Sequence, residues 1–333
     1  MIKRLTYLFF IFSFPLHAQV GGKKSFEFMN VPNTARLAAL GGVNVSLIDR
    51  DINFFYSNPA LVGDTLDGFA SISYQLYGAG INHTTASYGH HFERVGMLSM
   101  GVQHLSYGTL ESYDATGAAL GNFQSGETAV VISKNHRVNN FRMGVNVKAL
   151  FSNIAGYRSS AVLLDVGGTF VHPNKNVTVG LVLKNMGIVL SEYSETSNTK
   201  LPIDVQLGVT LKPEHMPLRF SLTGYNMVKT NIAYDDPNNG DDNVGAFDKV
   251  LRHVTVGAEI LFHQSVNLIV GYNHLMHQEL KLDSGGGGAG VSLGFSAQVK
   301  AVEFSFSRSG YMAGKAAYTF TVSVNTKRIL KRH

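Results

Sequence analysis

The sequence predicts an all-β fold, a transmembrane 14-stranded antiparallel up-and-down outer-membrane β-barrel with an N-terminal hatch in its lumen. Three observations predict this fold. Segments with alternating apolar and polar residues recur along the chain, and the connections between them alternate between short and long. The polar faces of these segments also carry charged residues that a hydrocarbon environment would not tolerate.

The composition is compatible with a barrel and excludes several other classes. Only 15% of the 333 residues are charged, and the chain has 35 glycines, 21 phenylalanines and 14 tyrosines, as in β-rich proteins with apolar surfaces. The net charge of +5 is scattered along the chain apart from the basic C-terminus, so no nucleic-acid partner is expected. Without cysteine, neither a disulfide framework nor a thiolate metal site can form.

The N-terminus has the pattern of a signal peptide. Lys3 and Arg4 precede an apolar run from Leu5 to Phe14, and Ala18 provides a cleavage site. The run is too short for a membrane anchor, which needs roughly 20 apolar residues. We therefore expect an exported protein that resides in the cell outer membrane.

Period-2 alternation predicts fourteen strands. In the segment PLRFSLTGYN, for example, Leu218, Phe220 and Leu222 alternate with polar residues. The predicted strands cover residues 68–77, 81–92, 94–106, 126–138, 141–154, 158–170, 175–185, 202–212, 217–229, 249–263, 265–276, 289–298, 300–308 and 316–325.

The connections support a membrane barrel because their length follows their position. Every connection after an even-numbered strand is short, whereas the long ones all follow odd-numbered strands. The long connections are 107–125, 186–201, 230–248 and 277–288. Outer-membrane barrels have this asymmetry, with short periplasmic turns and longer outer loops, whereas a soluble sandwich has no reason for it.

The two faces of the strands predict which side meets lipid. One face of most strands is continuously apolar and is expected to contact outer-membrane lipid. The other face carries charges among Gly, Ser and Thr, and we expect it to line the lumen. The predicted lumen-facing charges are Arg142, Lys148, Asp165, Lys184, Asp204, Lys212, Arg219, Glu259 and Glu303.

Four regions follow from these patterns: a signal peptide (1–18), a hatch (19–66), the barrel (67–325) and a basic periplasmic tail (326–333). In the hatch, Asn33 or Thr34 can cap a short helix that runs to Leu40 and stops at two glycines. Its apolar content, including the run FFY at 54–56, favours insertion into a lumen that is wide enough to need filling.

The hatch residues also resemble a known family. The pattern from ARLAALGG to FFYSNPA is similar to the hatch of FadL-like outer-membrane barrels. The longer stretch GGKKSFEFMNVPNTARLAALGGVNVSLIDRDINFFYSNPAL, Gly21 to Leu61, resembles the PorQ branch of the PorV/PorQ family. Beyond these residues, the resemblance rests on the fourteen-strand layout alone.

The resemblance implies a role beside the type IX secretion system of Bacteroidetes. It implies binding to proteins of the surface attachment complex, with secreted cargo or lipopolysaccharide as further partners. The residues that match the hatch motif are Arg36, Gly41, Gly42, Asn58, Pro59 and Ala60. One departure is the tail TKRILKRH, because many outer-membrane barrels end on an aromatic residue of the last strand.

Candidate chemical sites are weak. His90 and His91 are adjacent and would point to opposite faces of a strand, and His253, His263, His274 and His277 lack metal-ligand spacing. The acidic stretch Tyr234–Asn243 lacks the calcium-loop register, so a solvated loop is favoured, with a partner-binding loop as the alternative. The four glycines at 285–288 do not precede a helix and predict a loop. No cofactor or metal site is predicted.

Two functions from different classes remain open. No motif for nucleophilic catalysis occurs, although a site assembled across strands would be invisible in a sequence. The chain is therefore expected not to be an enzyme. The first hypothesis is a plugged adaptor that binds secretion partners through its extracellular loops. The alternative is a FadL-like transporter of hydrophobic small molecules, and the predicted polar lumen favours the adaptor.

Overall fold

Fourteen strands close into a single antiparallel barrel in the computed structural model. The structure describes residues 25–233, 245–263, 265–281, 288–312 and 315–330. The strands are β1 (Phe69–Leu76), β2 (Asn82–Phe92), β3 (Gly96–Tyr113), β4 (Ala119–Val138), β5 (Phe141–Ile154), β6 (Tyr157–Val171), β7 (Val177–Ser191), β8 (Asp204–Leu211), β9 (Leu218–Gly224), β10 (Val254–His263), β11 (Val266–Asn273), β12 (Val291–Val299), β13 (Val302–Met312) and β14 (Lys315–Asn325).

Each strand pairs with its neighbours in sequence, and the first strand pairs with the last. Phe69 in β1 lies opposite Asn325 in β14, and the register continues to Leu76 opposite Tyr318. The predicted fold class is therefore confirmed. We call the end at which β1 begins and β14 ends the periplasmic end, because the tight turns lie there, and the opposite end extracellular.

The wall of the barrel has an apolar exterior and a more polar interior. In β5, the side chains of Phe141, Met143 and Val147 are exposed on the outside, whereas Asn146 and Lys148 are buried on the inside. None of the helices in the described part of the chain is both long and apolar enough to span a bilayer. The exposed apolar face is the surface that lipid is expected to cover.

Strands β3 and β4 extend further beyond the extracellular end of the barrel than the sequence predicted. The connection 107–125 was expected to be a loop, but β3 extends to Tyr113 and β4 starts at Ala119, so most of it is a β-hairpin. Above Ser106 this hairpin has no strand partner on either side, since β2 ends opposite Ser106 and β5 reaches only Gly126. It therefore stands above the extracellular rim.

Short helices occupy parts of two predicted strands and of the predicted tail. Helix α2 (Ala246–Leu251) overlaps the start of the strand that was predicted at 249–263. Helix α3 (His274–Leu280) follows β11 directly and includes the end of the strand that was predicted at 265–276. Helix α4 (Thr326–Leu330) follows β14 in the basic tail. The short helix of the hatch is α1 (Ala35–Ala39). The predicted signal peptide, the stretch Tyr234–Asn243, Gly285–Gly287 and residues 331–333 lie outside the described residues.

The described part of the predicted hatch, residues 25–66, fills the lumen from one end to the other. At the extracellular end, Ser25 N donates a hydrogen bond to the carbonyl oxygen of Lys200 (3.0 Å), in the connection between β7 and β8. The rest of the hatch contains α1 and four short 3-10 turns, and Leu66 lies just before β1 at the periplasmic end. The described part of the hatch thus starts at the extracellular end of the lumen and ends at the periplasmic end.

Candidate functional site: the hatch and the lumen around it

The first half of the hatch is a capped helix with a glycine stop. The Thr34 hydroxyl accepts a hydrogen bond from Leu37 N (3.3 Å) and caps α1. After Leu40, Gly41 (φ 89°) and Gly42 (φ 91°) take left-handed conformations that only glycine adopts at little cost. The helix and its stop are therefore confirmed, with Thr34 rather than Asn33 as the cap.

The second half of the hatch consists of two tight turns that bury its aromatic residues. The Asp51 carboxylate caps the turn Ile52–Tyr56, whose Phe54, Phe55 and Tyr56 are all buried. Asn58 is extended (φ −153°), as expected before a proline. Its side-chain oxygen accepts from Ala60 N (3.0 Å), and its amide donates to Val45 O (2.9 Å), which ties the two halves of the hatch together.

The wall approaches the hatch so closely that only glycine fits at many contacts. A Cβ on Gly144 would lie 2.5 Å from the carbonyl carbon of Pro59, and one on Gly271 would overlap backbone atoms of the α1 end. Nine strands present such a glycine to the hatch. These glycines are Gly89, Gly101, Gly144, Gly167, Gly180, Gly208, Gly257, Gly271 and Gly294. The hatch is therefore packed against most of the circumference of the barrel.

Four charged side chains, which we call the hatch network, join the hatch to β9 and β10. Arg36 donates to Glu259 Oε1 (2.9 Å) and to Asp49 Oδ2 (2.5 Å). Arg219 contacts the same Asp49 oxygen (2.8 Å) and lies 3.1 Å from Glu259 Oε2. Each carboxylate therefore lies between two guanidinium groups, an arrangement that compensates their burial.

The network controls the ionisation of the hatch carboxylates. Burial alone would raise the pKa of Asp49, but Arg36 and Arg219 hold the pKa well below its usual range. Asp51 lies nearby and forms no direct ion pair with any described residue, and its burial raises its pKa. Asp49 was not singled out in the sequence, because a single acidic residue in a loop gives no sign of its distant partner Arg219.

A second polar cluster lies in the wall at β5–β7. Lys148 Nζ lies 2.7 Å from Asp165 Oδ2 and donates to Asn185 Oδ1 (2.7 Å). Asn146 donates to the same Asp165 oxygen (3.0 Å). Asn185 has φ 60° at a break in the β6–β7 register, so that it and Lys184 both point inwards. The charges of Lys148 and Asp165 are therefore paired with each other on the lumen side of the wall.

The structure places eight of the nine predicted lumen charges inside the barrel, in different settings, and one outside it. Arg219 and Glu259 belong to the hatch network, whereas Glu303 lines a periplasmic cavity. Buried in or beside the β5–β8 wall are Lys148, Asp165, Lys184 and Asp204. Arg142 is half-buried beside Gly63 of the hatch. Lys212 differs from the prediction, because β8 ends at Leu211 and Lys212 is exposed in the following turn.

The lumen is less polar on one side than the sequence suggested. The hatch side chains Phe28, Phe55 and Tyr56 pack against Leu105 and Val131 of the wall in one buried apolar cluster. The cluster reaches from Phe26, near the extracellular end, to Leu66 at the periplasmic end. Alternating patterns missed this side of the lumen because both faces of β3–β6 are partly apolar there.

Comparison with solved structures finds the same barrel fold in outer-membrane proteins. One similar structure is "TodX monoaromatic hydrocarbon channel deltaS2 mutant", with a TM-score of 0.53 and 11% identity over 89% of this chain and 98% of that one. The barrel of this chain is therefore similar in fold to the barrel of the TodX channel. A FadL homologue of Pseudomonas aeruginosa matches with a TM-score of 0.47 and 9% identity over 88% and 98% of the two chains. No family model matches, and no curated protein matches.

The histidines that were considered as metal ligands do not lie together in one site of the described residues. Within the described ranges, no group of three or more His, Asp or Glu side chains could hold a metal ion. His274 lies between Tyr272 Oη (3.0 Å) and Asp248 Oδ1 (2.7 Å) at the extracellular end, and His253 contacts Tyr225 O (2.9 Å). His90 and His91 lie near acidic residues at the periplasmic end, and His277 contacts Ala289 O. The side chain of His263 is outside the described part.

Proposed function

We propose that the chain is a plugged outer-membrane barrel of the type IX secretion system, which binds attachment-complex partners at its extracellular end. The observation that carries this proposal is the fixation of the hatch. It contacts glycines on nine strands and joins β9 and β10 through buried ion pairs. A plug held in this way suits a scaffold better than an open conduit.

The assignment to type IX secretion rests on the resemblance of Gly21–Leu61 to the PorQ branch of the PorV/PorQ family. Because fold alone does not determine function, the specific hatch residues are the more informative part of this resemblance. Arg36 and Asn58, two residues of the matched motif, make the contacts that hold the hatch to the wall and to itself.

The extracellular end offers surface for partners. The β3–β4 hairpin exposes Leu110, Tyr113 and Leu120 above the rim, and α2 exposes Phe247 and Val250. Exposed apolar side chains outside the lipid band are typical of interaction surfaces. We propose that the hairpin binds an attachment-complex protein, with secreted cargo or lipopolysaccharide as further ligands of this end.

The experiment is affinity purification of the tagged barrel from outer membranes of the native cell, combined with an assay of secreted cargo. We expect a stoichiometric surface protein to co-purify. Replacing residues 109–122 by a two-residue Asn-Gly turn should remove that protein and leave cargo unreleased. The matched control replaces Glu214 and His215 in a periplasmic turn. Recovery of the barrel alone, with normal cargo release, would refute the adaptor role.

A second function is favoured by one observation. The apolar cluster along β3–β6 runs most of the length of the lumen, and the fold is similar to that of a hydrocarbon channel. A transporter of hydrophobic small molecules would use this side of the lumen. Binding of a long-chain fatty acid or an aromatic hydrocarbon by the purified barrel, together with lost uptake in a deletion strain, would support transport over the adaptor.

A further inference from the structure

A cavity of about 320 Å³ opens at the periplasmic end, between the hatch and the wall. The hatch contributes Ile48, Asp49, Arg50 and Thr65, and Arg328 of α4 lies on the rim. The wall residues belong to β1 and β12–β14 and the turn between β12 and β13. They are Phe69, Gln298, Ala301, Glu303, Ser323 and Asn325. The volume is at the lower end of the roughly 300–1,000 Å³ that is typical of small-ligand sites.

Opposite charges line this cavity without pairing. Glu303 is half-buried in β13, and it forms no direct ion pair or hydrogen bond with any residue in the described ranges, although the charge of Arg36 acts on it from a longer distance. The guanidinium groups of Arg50 and Arg328 are exposed and likewise have no acidic partner within 4.0 Å among those residues. Asp49 also lines the cavity, but Arg36 and Arg219 already hold its carboxylate.

The unpaired state of Glu303 has a physical consequence. A carboxylate that is partly removed from water loses hydration, and a cationic group within hydrogen-bond distance would compensate that loss. The two arginines have the complementary property, because a guanidinium group binds a carboxylate through two parallel hydrogen bonds. A ligand that carries both an ammonium and a carboxylate group could contact Glu303 and the two arginines at the same time.

We propose that this cavity binds a zwitterionic peptide group from the periplasm, with the ammonium at Glu303 and the carboxylate at Arg50 and Arg328. Because the volume is at the lower end of the range for small-ligand sites, the ligand must be a short peptide group. Asn325 Oδ1 accepts from Arg328 N (3.2 Å), which fixes the start of α4 beside the cavity. The site is independent of the extracellular role proposed above, because it lies at the opposite end of the barrel.

We assign this chemistry to the stem peptide of peptidoglycan, whose free amino and carboxyl groups lie close together. An adjacent Lys–Asp pair on a periplasmic protein would also present one cation and one anion at a short spacing, and it is the competing outcome of the test.

The test is isothermal titration calorimetry on the purified full-length barrel in detergent at pH 7. The first probe is the dipeptide alanyl-alanine, compared with its N-acetylated and its C-terminally amidated forms. We expect each blocked form to bind at least tenfold more weakly than the zwitterion, because each loses one charge-assisted contact. Equal binding of all three forms, or no binding of any, would overturn the proposal.

Variants identify the residues. Glu303→Gln should weaken alanyl-alanine binding about tenfold or more, and Arg328→Gln should weaken it several-fold. The matched control, Glu214→Gln, changes an exposed periplasmic carboxylate outside the cavity and should leave binding unchanged. Folding of each variant is checked by its heat-dependent electrophoretic mobility. If folded Glu303→Gln binds as tightly as the control, the assignment is wrong.

The same titration separates the sources. A soluble peptidoglycan stem tetrapeptide is compared with a blocked hexapeptide that contains Lys–Asp. Tighter binding of the tetrapeptide, lost in Glu303→Gln, assigns the cavity to the cell wall, and tighter binding of the hexapeptide assigns it to a protein partner. Binding of either probe that persists unchanged in Glu303→Gln contradicts the site.

Discussion

Arg36 in the hatch donates its Nε hydrogen to Glu259 in β10 at 2.9 Å, and both side chains are almost completely buried. The pair joins the plug to the wall at a place where neither charge can be hydrated. Removing one partner of such a pair leaves the other charge uncompensated, which typically costs about 3–5 kcal/mol. The hatch network is therefore expected to be the strongest single attachment of the plug.

Arg36→Gln should release or loosen the hatch while the barrel remains closed. The strand pairing does not involve Arg36, so heat-dependent mobility should still report a folded barrel. Hydrogen exchange of amides in 35–62 should increase by about two orders of magnitude or more, because the local opening free energy falls. The control is Arg158→Gln, an exposed arginine that forms no ion pair with a residue in the described part of the chain. Unchanged exchange in Arg36→Gln would show that the network does not hold the plug.

The hatch network also predicts a dependence on pH. The pKa of Asp49 in the folded protein lies below its ordinary value of 3.8, so the ionised form stabilises the hatch above that value. This stabilisation decreases as the pH falls below about 4 and approaches the folded-state pKa. Hatch exchange should therefore accelerate between about pH 4 and pH 2. Asp51 has a raised pKa, so its protonation stabilises the hatch as the pH falls. Because Asp51 is present in both the wild type and the variant Asp49→Asn, a comparison of the two proteins cancels its effect.

Asp49→Asn isolates the contribution of Asp49 to this dependence. The amide cannot ionise, so its hatch should already be loosened at pH 7 and should change less on acidification than the wild-type hatch. Hydrogen exchange at pH 7, 4 and 3, corrected for intrinsic rates, measures the difference. Parallel acid profiles of the two proteins would contradict the assignment.

The glycine contacts predict a steric effect. Gly144→Ala places a methyl group where Pro59 and Ala60 lie 2.5–2.8 Å away, so the hatch must shift. Gly168→Ala, on β6 opposite Met143, meets only Arg142 O at 3.8 Å and serves as the control. We expect Gly144→Ala to destabilise the hatch by about 1–3 kcal/mol in exchange measurements, and Gly168→Ala to have no such effect. Equal behaviour of the two variants would rule out close packing at Gly144.

Pro59 predicts a smaller effect. It occupies the first position of the turn Pro59–Leu61, where its ring fixes the backbone and costs no hydrogen bond. Pro59→Ala should therefore loosen the hatch by about 0.4–1 kcal/mol through the unfolded state and leave barrel assembly intact. Pro213→Ala, in a periplasmic turn, is the control. Failed assembly of Pro59→Ala would show that this turn has a role in folding rather than in plugging.

Local patterns predicted most of the fold, whereas contacts over long sequence separations escaped them. Strand alternation, the order of short and long connections and the Thr34 cap are all visible in short windows of sequence. The β3–β4 hairpin was missed because its strands above the rim pair only with each other and bury no core side, so Leu110 and Leu120 show no regular apolar face. Asp49 was missed because its partner Arg219 is 170 residues away.

The path of the hatch predicts which side of the membrane its start faces. Ser25 is bonded to Lys200 in an extracellular connection, and Glu27 is exposed nearby. The protein has no cysteine, so Glu27→Cys introduces a single reactive thiol. A membrane-impermeant maleimide added to intact cells should label it. Thr65→Cys, exposed at the periplasmic end, should be labelled only after the outer membrane is permeabilised. The reverse pattern would show that the hatch enters the barrel from the periplasm.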